Sequence, residues 1–373
     1  MAAPASAQLG KTSIRVPSLA VGTTWLGGFG GSPPLPVDEA HAILRRALEL
    51  GIHMFDTAPQ YGGGIAETRV GELARSAGRE QVLISTKVGR LIVPMSFGSK
   101  VGRVLRHAVA SPGRGPRLVV DHARRVVREL RQRSGEVRLG YPFGTGEQGL
   151  GLRPDYTYDG AMRSFEDSIR RLGTDRIDVL HIHDPDDVYE EAKAGAYRAL
   201  RELRETNAVG AIGVGMNDAR PLARFAREGD FDCFLVAGRY TLLDQTALDD
   251  LLPVCAERSI SVFAAGVYNS GLLANPRPGA TFDYRPANAS QVERAQAIEA
   301  SCRRHGVSIK AAALQFPLAH PAVTTVVLGV RTVEELEENV ALSQVAIPEE
   351  LWVELREARF LRADAPTPTS SRV

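Results

Sequence analysis

Eight short apolar runs, each followed by a longer amphipathic stretch, constrain what this chain can fold into more than any other feature. The runs cover residues 19–22, 53–56, 82–87, 177–183, 211–215, 233–236, 261–265 and 323–328. Between most of them apolar residues recur at helical spacing, as at Ala40, Ile43, Leu44, Ala47 and Leu48. The stretches 69–76, 161–172, 196–204 and 290–305 read the same way. Strands joined by crossover helices run parallel and must bury both faces, so this rhythm predicts an α/β fold closed as a (β/α)8 TIM barrel. An open doubly wound sheet is the competitor, and the lack of a GxGxxG after the first run counts against a dinucleotide-binding unit of that kind.

In a barrel, chemistry gathers at the carboxyl ends of the strands. Asp56 ends the second run, with Tyr61 five residues on; Lys87 ends the third and His183 the fourth. The chain has five lysines against forty arginines, so a lysine closing a strand invites a functional explanation. A tyrosine hydroxyl, with an ordinary pKa near ~10, is a poor acid or base at neutral pH. A neighbouring ammonium favours the phenolate, and an aspartate can hold that ammonium in place. A histidine near the substrate oxygen can orient it. Tyr61, Lys87, Asp56 and His183 thus form a candidate site for exchanging a proton with a carbon-bound oxygen, paired with hydride transfer from a nicotinamide. His181 lies on the same strand face as His183, which is also how some metal-dependent barrel hydrolases begin a site. No later run ends in a histidine or a carboxylate pair, so no metal is expected and His181 reads as barrel filling.

Two segments break the rhythm. Residues 91–158 exceed an ordinary strand-to-helix loop and hold two amphipathic patches, around Val101–Ala108 and Val119–Leu130. From Lys100 to Arg138 eleven basic residues face three acidic ones. An inserted, partly helical basic pair packed on the barrel is the plain reading, and a lid over an anionic substrate the sharper one. Residues 1–9 and 363–373 read as loose tails on a single barrel domain spanning 1–373. A net charge of +1 offers no field for nucleic acid. Neither a membrane span nor a secretory signal is evident, and Cys233, Cys255 and Cys302 show no metal-ligand spacing. A cytoplasmic protein, monomer or homodimer, acting on a small carbonyl or sugar substrate is expected.

Several motifs are similar to those of the aldo-keto reductases. They include Phe55-Asp56-Thr57-Ala58-Pro59-Gln60-Tyr61-Gly62, Ser85-Thr86-Lys87-Val88-Gly89, Ile182-His183-Asp184-Pro185-Asp186 and Gly329-Val330-Arg331-Thr332, and the resemblance covers nearly the whole chain. With Tyr268-Asn269-Ser270-Gly271-Leu272-Leu273 and the ending Ala363-Asp364-Ala365-Pro366, the chain resembles the branch containing L-fucose dehydrogenase, D-threo-aldose 1-dehydrogenase and pyridoxal 4-dehydrogenase. The resemblance implies that Tyr61 is the proton donor and acceptor, that Lys87 lowers its pKa, that Asp56 pairs with Lys87, and that His183 orients the substrate oxygen. It also implies an NAD or NADP site. Gly22 and Thr23 would line its nicotinamide end, with Trp25 and Tyr268 in the substrate pocket. Asn217 would hold the carboxamide, the only polar side chain where the family has a Ser-Asn pair. Ser270, Gly271 and Leu272 would meet the pyrophosphate, and Gly329, Arg331, Thr332, Glu335 and Asn339 the adenosine side. A carboxylate at Glu335 would repel a 2′-phosphate and favours NAD, partly offset by Arg331. The implied activity is oxidation of a sugar hemiacetal, L-fucose- or D-arabinose-like. The alternatives are a pyridoxal 4-dehydrogenase-like enzyme, a general aldehyde reductase, or a cofactor-binding redox sensor.

Overall fold

The computed structural model describes residues 3–28, 32–94 and 150–368. An N-terminal hairpin of β1 (Ser6–Gln8) and β2 (Arg15–Pro17) precedes β3 (Leu19–Gly22), β4 (Met54–Asp56) and β5 (Leu83–Val88). A ribbon of β6 (Arg90–Pro94) and β7 (Leu150–Pro154) follows. Then come β8 (Ile177–His183), β9 (Val209–Met216), β10 (Cys233–Ala237) and β11 (Ser261–Ala265). A small hairpin of β12 (Thr281–Phe282) and β13 (Arg285–Pro286) leads on toward β14 (Val323–Gly329). Strands β3, β4, β5, β8, β9, β10, β11 and β14 pair in parallel in that order and close on themselves. The expected barrel is therefore the observed one, with all eight runs as its strands.

Period-two alternation sorts the strand residues into two cores. Residues such as Leu19, Val21, Leu180 and Ile182 pack outward against the crossover helices. Ala20, Met54, Val179, Ala211, Cys233, Leu235, Phe263 and Val327 fill the barrel interior together with Leu9 and Val16 from the N-terminal hairpin. The helices carry their own end signals. Helix Tyr158–Leu172 starts on Thr157, whose side chain accepts from the Gly160 amide, and stops at Gly173 in the left-handed region.

The long segment after β5 opens and closes in extended backbone, because Arg90–Pro94 and Leu150–Pro154 pair antiparallel with Arg90 opposite Pro154. The two amphipathic patches expected between them, and the basic stretch 100–138, lie outside the described residues. Some described residues of the two end segments make contacts. Ser6–Gln8 pair with Arg15–Pro17, Leu9 is fully buried, and Arg356 donates to the Ala365 carbonyl at 3.2 Å and to the Thr367 hydroxyl at 2.7 Å.

Candidate active site

Asp56 is the last residue of β4, and β5 places Ser85 beside it in register. Two residues along the same face of β5 comes Lys87, opposite His181 of β8, and His183 follows two further on. The strand ends thus deliver Asp56, Lys87 and His183 to one mouth of the barrel. Tyr61 arrives by a turn in which its amide donates to the Ala58 carbonyl at 3.0 Å.

Lys87 is the centre of the cluster. Its Nζ donates to Asp56 Oδ2 at 2.6 Å, to the Thr57 carbonyl at 2.9 Å and to the Tyr61 hydroxyl at 3.2 Å. All three ammonium hydrogens have an acceptor. The other carboxylate oxygen, Asp56 Oδ1, accepts from Ser85 Oγ at 2.8 Å. Asp56 and Lys87 are 2 % and 1 % exposed, so the pair has left water and depends on these bonds to offset its desolvation. The His183 ring stands edge-on to Tyr61, with centroids 6.1 Å apart and planes at 90°.

The electrostatics follow from this burial. Desolvation alone would push the Lys87 pKa down, but the Asp56 carboxylate and the Tyr61 oxygen raise it above the ordinary value. Lys87 therefore stays a cation. For Tyr61 the expected depression by Lys87 is present yet outweighed: burial of the hydroxyl, helped by Asp56, leaves its pKa above the usual value. Lys87 thus acts in the expected direction, but a hydroxyl withdrawn from water loses more phenolate solvation than one ammonium restores. Burial, then Arg90, Lys87 and His181, hold His183 far below its usual range and therefore neutral.

His181 is fully buried beside Phe263, neither ring nitrogen has a protein partner, and burial takes its pKa down to about 3. Gly213 lies opposite it across the β8–β9 pairing, and any Cβ there would strike the imidazole. His181 thus fills space that a glycine vacates. Among the described residues no group of three or more His, Cys, Asp or Glu side chains is placed to hold a metal ion.

Most residues expected at a cofactor lie on or just after β3, β11 and β14, neighbours in the barrel, while Asn217 follows β9. Gly22 pairs with Gly329, and Gly329 lies against the Trp25 ring, over which the Arg331 guanidinium sits at 5.3 Å. Trp25, expected in the substrate pocket, thus meets residues expected on the adenosine side. Tyr268 also turns that way, its hydroxyl bonding Asn339 Oδ1, while Asn339 Nδ2 donates to the Glu335 carbonyl at 2.7 Å. The Thr23 hydroxyl is committed to the Asp56 carbonyl at 3.0 Å. The Asn217 carbonyl accepts from Arg239 Nε at 2.7 Å. Thr332 caps helix Val333–Ser343 through the Glu335 amide, and the Glu335 carboxylate accepts from the Arg331 amide at 2.8 Å and guanidinium at 3.1 Å.

These residues fit a dinucleotide. A Cβ at Gly271 would meet nothing within 4 Å, so the loop after β11 leaves room, and the buried Asn269 Oδ1 beside it lacks a protein partner. The helix that Thr332 caps carries Glu334 and Glu335 in its first turn, carboxylates able to accept from ribose hydroxyls.

Sequence reading missed three contributors. Arg90 bonds both Gln60 and Asp184, the neighbours of Tyr61 and His183. Tyr156, at the far foot of the ribbon, places its hydroxyl 2.6 Å from the His183 carbonyl and 2.8 Å from the Asp184 carbonyl. Ser85 orients Asp56. The available signal was adjacency: Arg90 stands three residues after Lys87, and Asp184 follows His183 directly.

A buried Asp56–Lys87–Tyr61 cluster beside His183 at the mouth of a parallel barrel is in keeping with a nicotinamide-dependent oxidoreductase, the class to which comparison with known proteins assigns the chain. The chain belongs to the aldo/keto reductase family, whose model matches residues 18–129 and 147–359. Among characterised proteins it is 37 % identical to pyridoxal 4-dehydrogenase of Microbacterium luteolum, over 93 % of this chain and 95 % of that one. It is 36 % identical to D-threo-aldose 1-dehydrogenase of a Pseudomonas species, over 98 % of each. An aldo-keto reductase of Bacillus halodurans, solved in its holo form, shares the fold with a TM-score of 0.68 at 21 % identity, covering 99 % of both chains.

Proposed function

We propose that the protein is an NAD-linked aldose 1-dehydrogenase, oxidising the hemiacetal carbon of an L-fucose- or D-arabinose-like sugar to a lactone with Tyr61 as acid and base. The observation that carries this reading is the Tyr61 hydroxyl, 3.2 Å from the buried Lys87 ammonium and in edge contact with His183. A bound nicotinamide would supply the hydride acceptor for oxidation and the donor for reduction. In reduction the Tyr61 phenol gives its proton to the carbonyl oxygen. Oxidation needs the phenolate, formed once that proton has passed to water and held by Lys87; the phenolate then takes the sugar's hydroxyl proton as the C–O bond gains its second component. Lys87 opposes the charge that Tyr61 acquires, and Asp56 keeps the ammonium aimed. Neutral His183 offers the substrate oxygen one hydrogen bond without adding a second cation.

NAD is favoured because the Glu335 carboxylate stands at the helix start where a 2′-phosphate would need cations, although Arg331 partly neutralises it. The aldose assignment is supported by the 36 % identical relative named for that activity. The test is turnover in both directions with L-fucose, D-arabinose, pyridoxal and simple aldehydes, using NAD and NADP. Lactone formation from an aldose with NAD is the expected result. Preference for pyridoxal would move the assignment to the activity named for the other relative, and turnover of simple aldehydes alone would make the protein a general aldehyde reductase. Nucleotide binding with no turnover of any of these would favour a redox sensor.

A further inference from the structure

Three strand ends and the turn after β4 carry the reacting groups, and one side chain outside the Asp56–Tyr61–Lys87–His183 set touches residues next to two of those groups. Arg90 opens β6, three residues beyond Lys87. Its Nη1 donates to Gln60 Oε1 at 2.9 Å and its Nη2 to Asp184 Oδ2 at 2.9 Å. Gln60 precedes Tyr61 and Asp184 follows His183. Arg90, Gln60 and Asp184 are nearly enclosed, with Arg90 at 11 % and Asp184 at 12 % side-chain exposure in their ion pair. Such a pair is held by fixed geometry, not averaged away by solvent.

We infer that Arg90 and Asp184 are positioning residues for catalysis, a rigid clasp that sets the separation of Tyr61 and His183. A planar guanidinium can reach two oxygens on different loops at once with a fixed angle between them, which an ammonium on a flexible stem cannot. Asp184 is itself constrained. Its backbone adopts φ +44°, uncommon for a non-glycine residue, its amide donates to the Gly215 carbonyl at 2.9 Å, and the Tyr156 hydroxyl binds the adjoining carbonyls. The left-handed turn sends the Asp184 carboxylate back toward the imidazole, its Oδ2 3.7 Å from His183 Nε2. Arg90 draws that carboxylate to itself and keeps it from binding His183 in place of a substrate oxygen. Among the described residues the charged or titratable groups around His183 include Arg90, Lys87, His181, Asp184, Tyr61 and Tyr156, and Arg90 restrains the Asp184 carboxylate that would compete for the ring.

This inference rests on the proposed role of Tyr61 and His183, but it has a readout that needs no turnover. In the nucleotide-free protein, Arg90→Met should speed amide exchange at least several-fold in the peptides containing Tyr61 and Asp184, leaving the remaining barrel strands unchanged. With a turned-over substrate, Arg90→Met should lower kcat about 10- to 100-fold, within the range for misplaced reacting groups. Nucleotide affinity should stay within about twofold. Arg90→Lys should recover only part of kcat, because it reaches one partner. Should Arg90→Met fold poorly, the nearly isosteric Asp184→Asn serves instead, with the same exchange pattern and a smaller kcat loss. The double variant should be no worse than Arg90→Met alone. Unchanged exchange in both loops, or a lower melting temperature with unchanged kcat, overturns the clasp. Exchange confined to the two loops in a protein that turns over nothing supports the clasp and removes the proposed activity.

Discussion

Gly62 and Gly27 meet backbone against backbone: a Cβ on Gly62 would collide with the Gly27 carbonyl, and one on Gly27 would collide with the carbonyl of Tyr61. Gly62 also sits at φ +66°. The loop carrying the tyrosine is thus pressed against the short helix Thr24–Gly27 with no side chain between them. Gly62→Ala should cost at least about 1–2 kcal/mol from the left-handed backbone alone. It should also lower kcat by displacing Tyr61. Urea unfolding with steady-state kinetics checks this, and a variant of normal stability and kcat would contradict it.

Removing only the phenolic oxygen separates chemistry from binding. Tyr61→Phe should cut turnover at least ~100-fold, the range for losing a general acid or base, with nucleotide affinity near normal. Fluorescence titration with the nucleotide alongside turnover measures both. Undiminished turnover would sink the assignment of Tyr61.

The Lys87–Asp56 pair makes an energetic prediction. Lys87→Met strands a carboxylate that is 2 % exposed, and breaking one side of a buried pair costs about 3–5 kcal/mol. Adding Asp56→Asn should recover part of the stability and none of the activity. If the double variant is no more stable than Lys87→Met, charge burial is not what the lysine relieves.

His181 predicts a pH dependence of stability. Its folded pKa of about 3 lies below the unfolded value near ~6.5, so the unfolded chain takes up a proton first as the solution is acidified. The native state should hold its full margin above pH ~6.5 and lose it as pH falls toward about 3, by up to ~1.4 kcal/mol per pH unit. His183 and His320 add in the same direction. His181→Leu should flatten the slope between pH ~6 and ~4 by up to about that amount. An unchanged slope would mean that the imidazole does not stay neutral in the fold.

Glu335 predicts cofactor choice. Glu335→Gln removes one charge from the helix start and frees the Arg331 guanidinium, so the preference for NAD over NADP should drop about tenfold, roughly 1.4 kcal/mol. Comparing kcat/KM for the two nucleotides checks it. A ratio that does not move would clear Glu335 of any role in selection.

The barrel was legible because its information is local. Each strand shows as a short apolar run and each crossover as helical spacing, so all eight runs matched observed strands. Asp56, Lys87 and His183 were legible for the same reason, as polar residues ending those runs, and the structure brings them together with Tyr61. What escaped was long-range. No periodicity ties Arg90 to an oxygen 94 residues away at Asp184, nor Tyr156 to the His183 carbonyl. The pairing of Arg90–Pro94 with Leu150–Pro154 was hidden likewise, because its partners are separated by a long stretch of chain. The net direction of the Tyr61 pKa was hidden too, since it depends on how much water the folded loop excludes.

The feet of that ribbon set an asymmetry in how the chain can vary. Arg90 and Tyr156 sit at its base and touch the turns next to Tyr61 and His183. The intervening sequence is spliced in at the opposite end, where Pro94 and Leu150 stand across from each other. A change in its length is therefore absorbed beyond a paired end, and the two strands can keep their register at the base whatever is inserted between them.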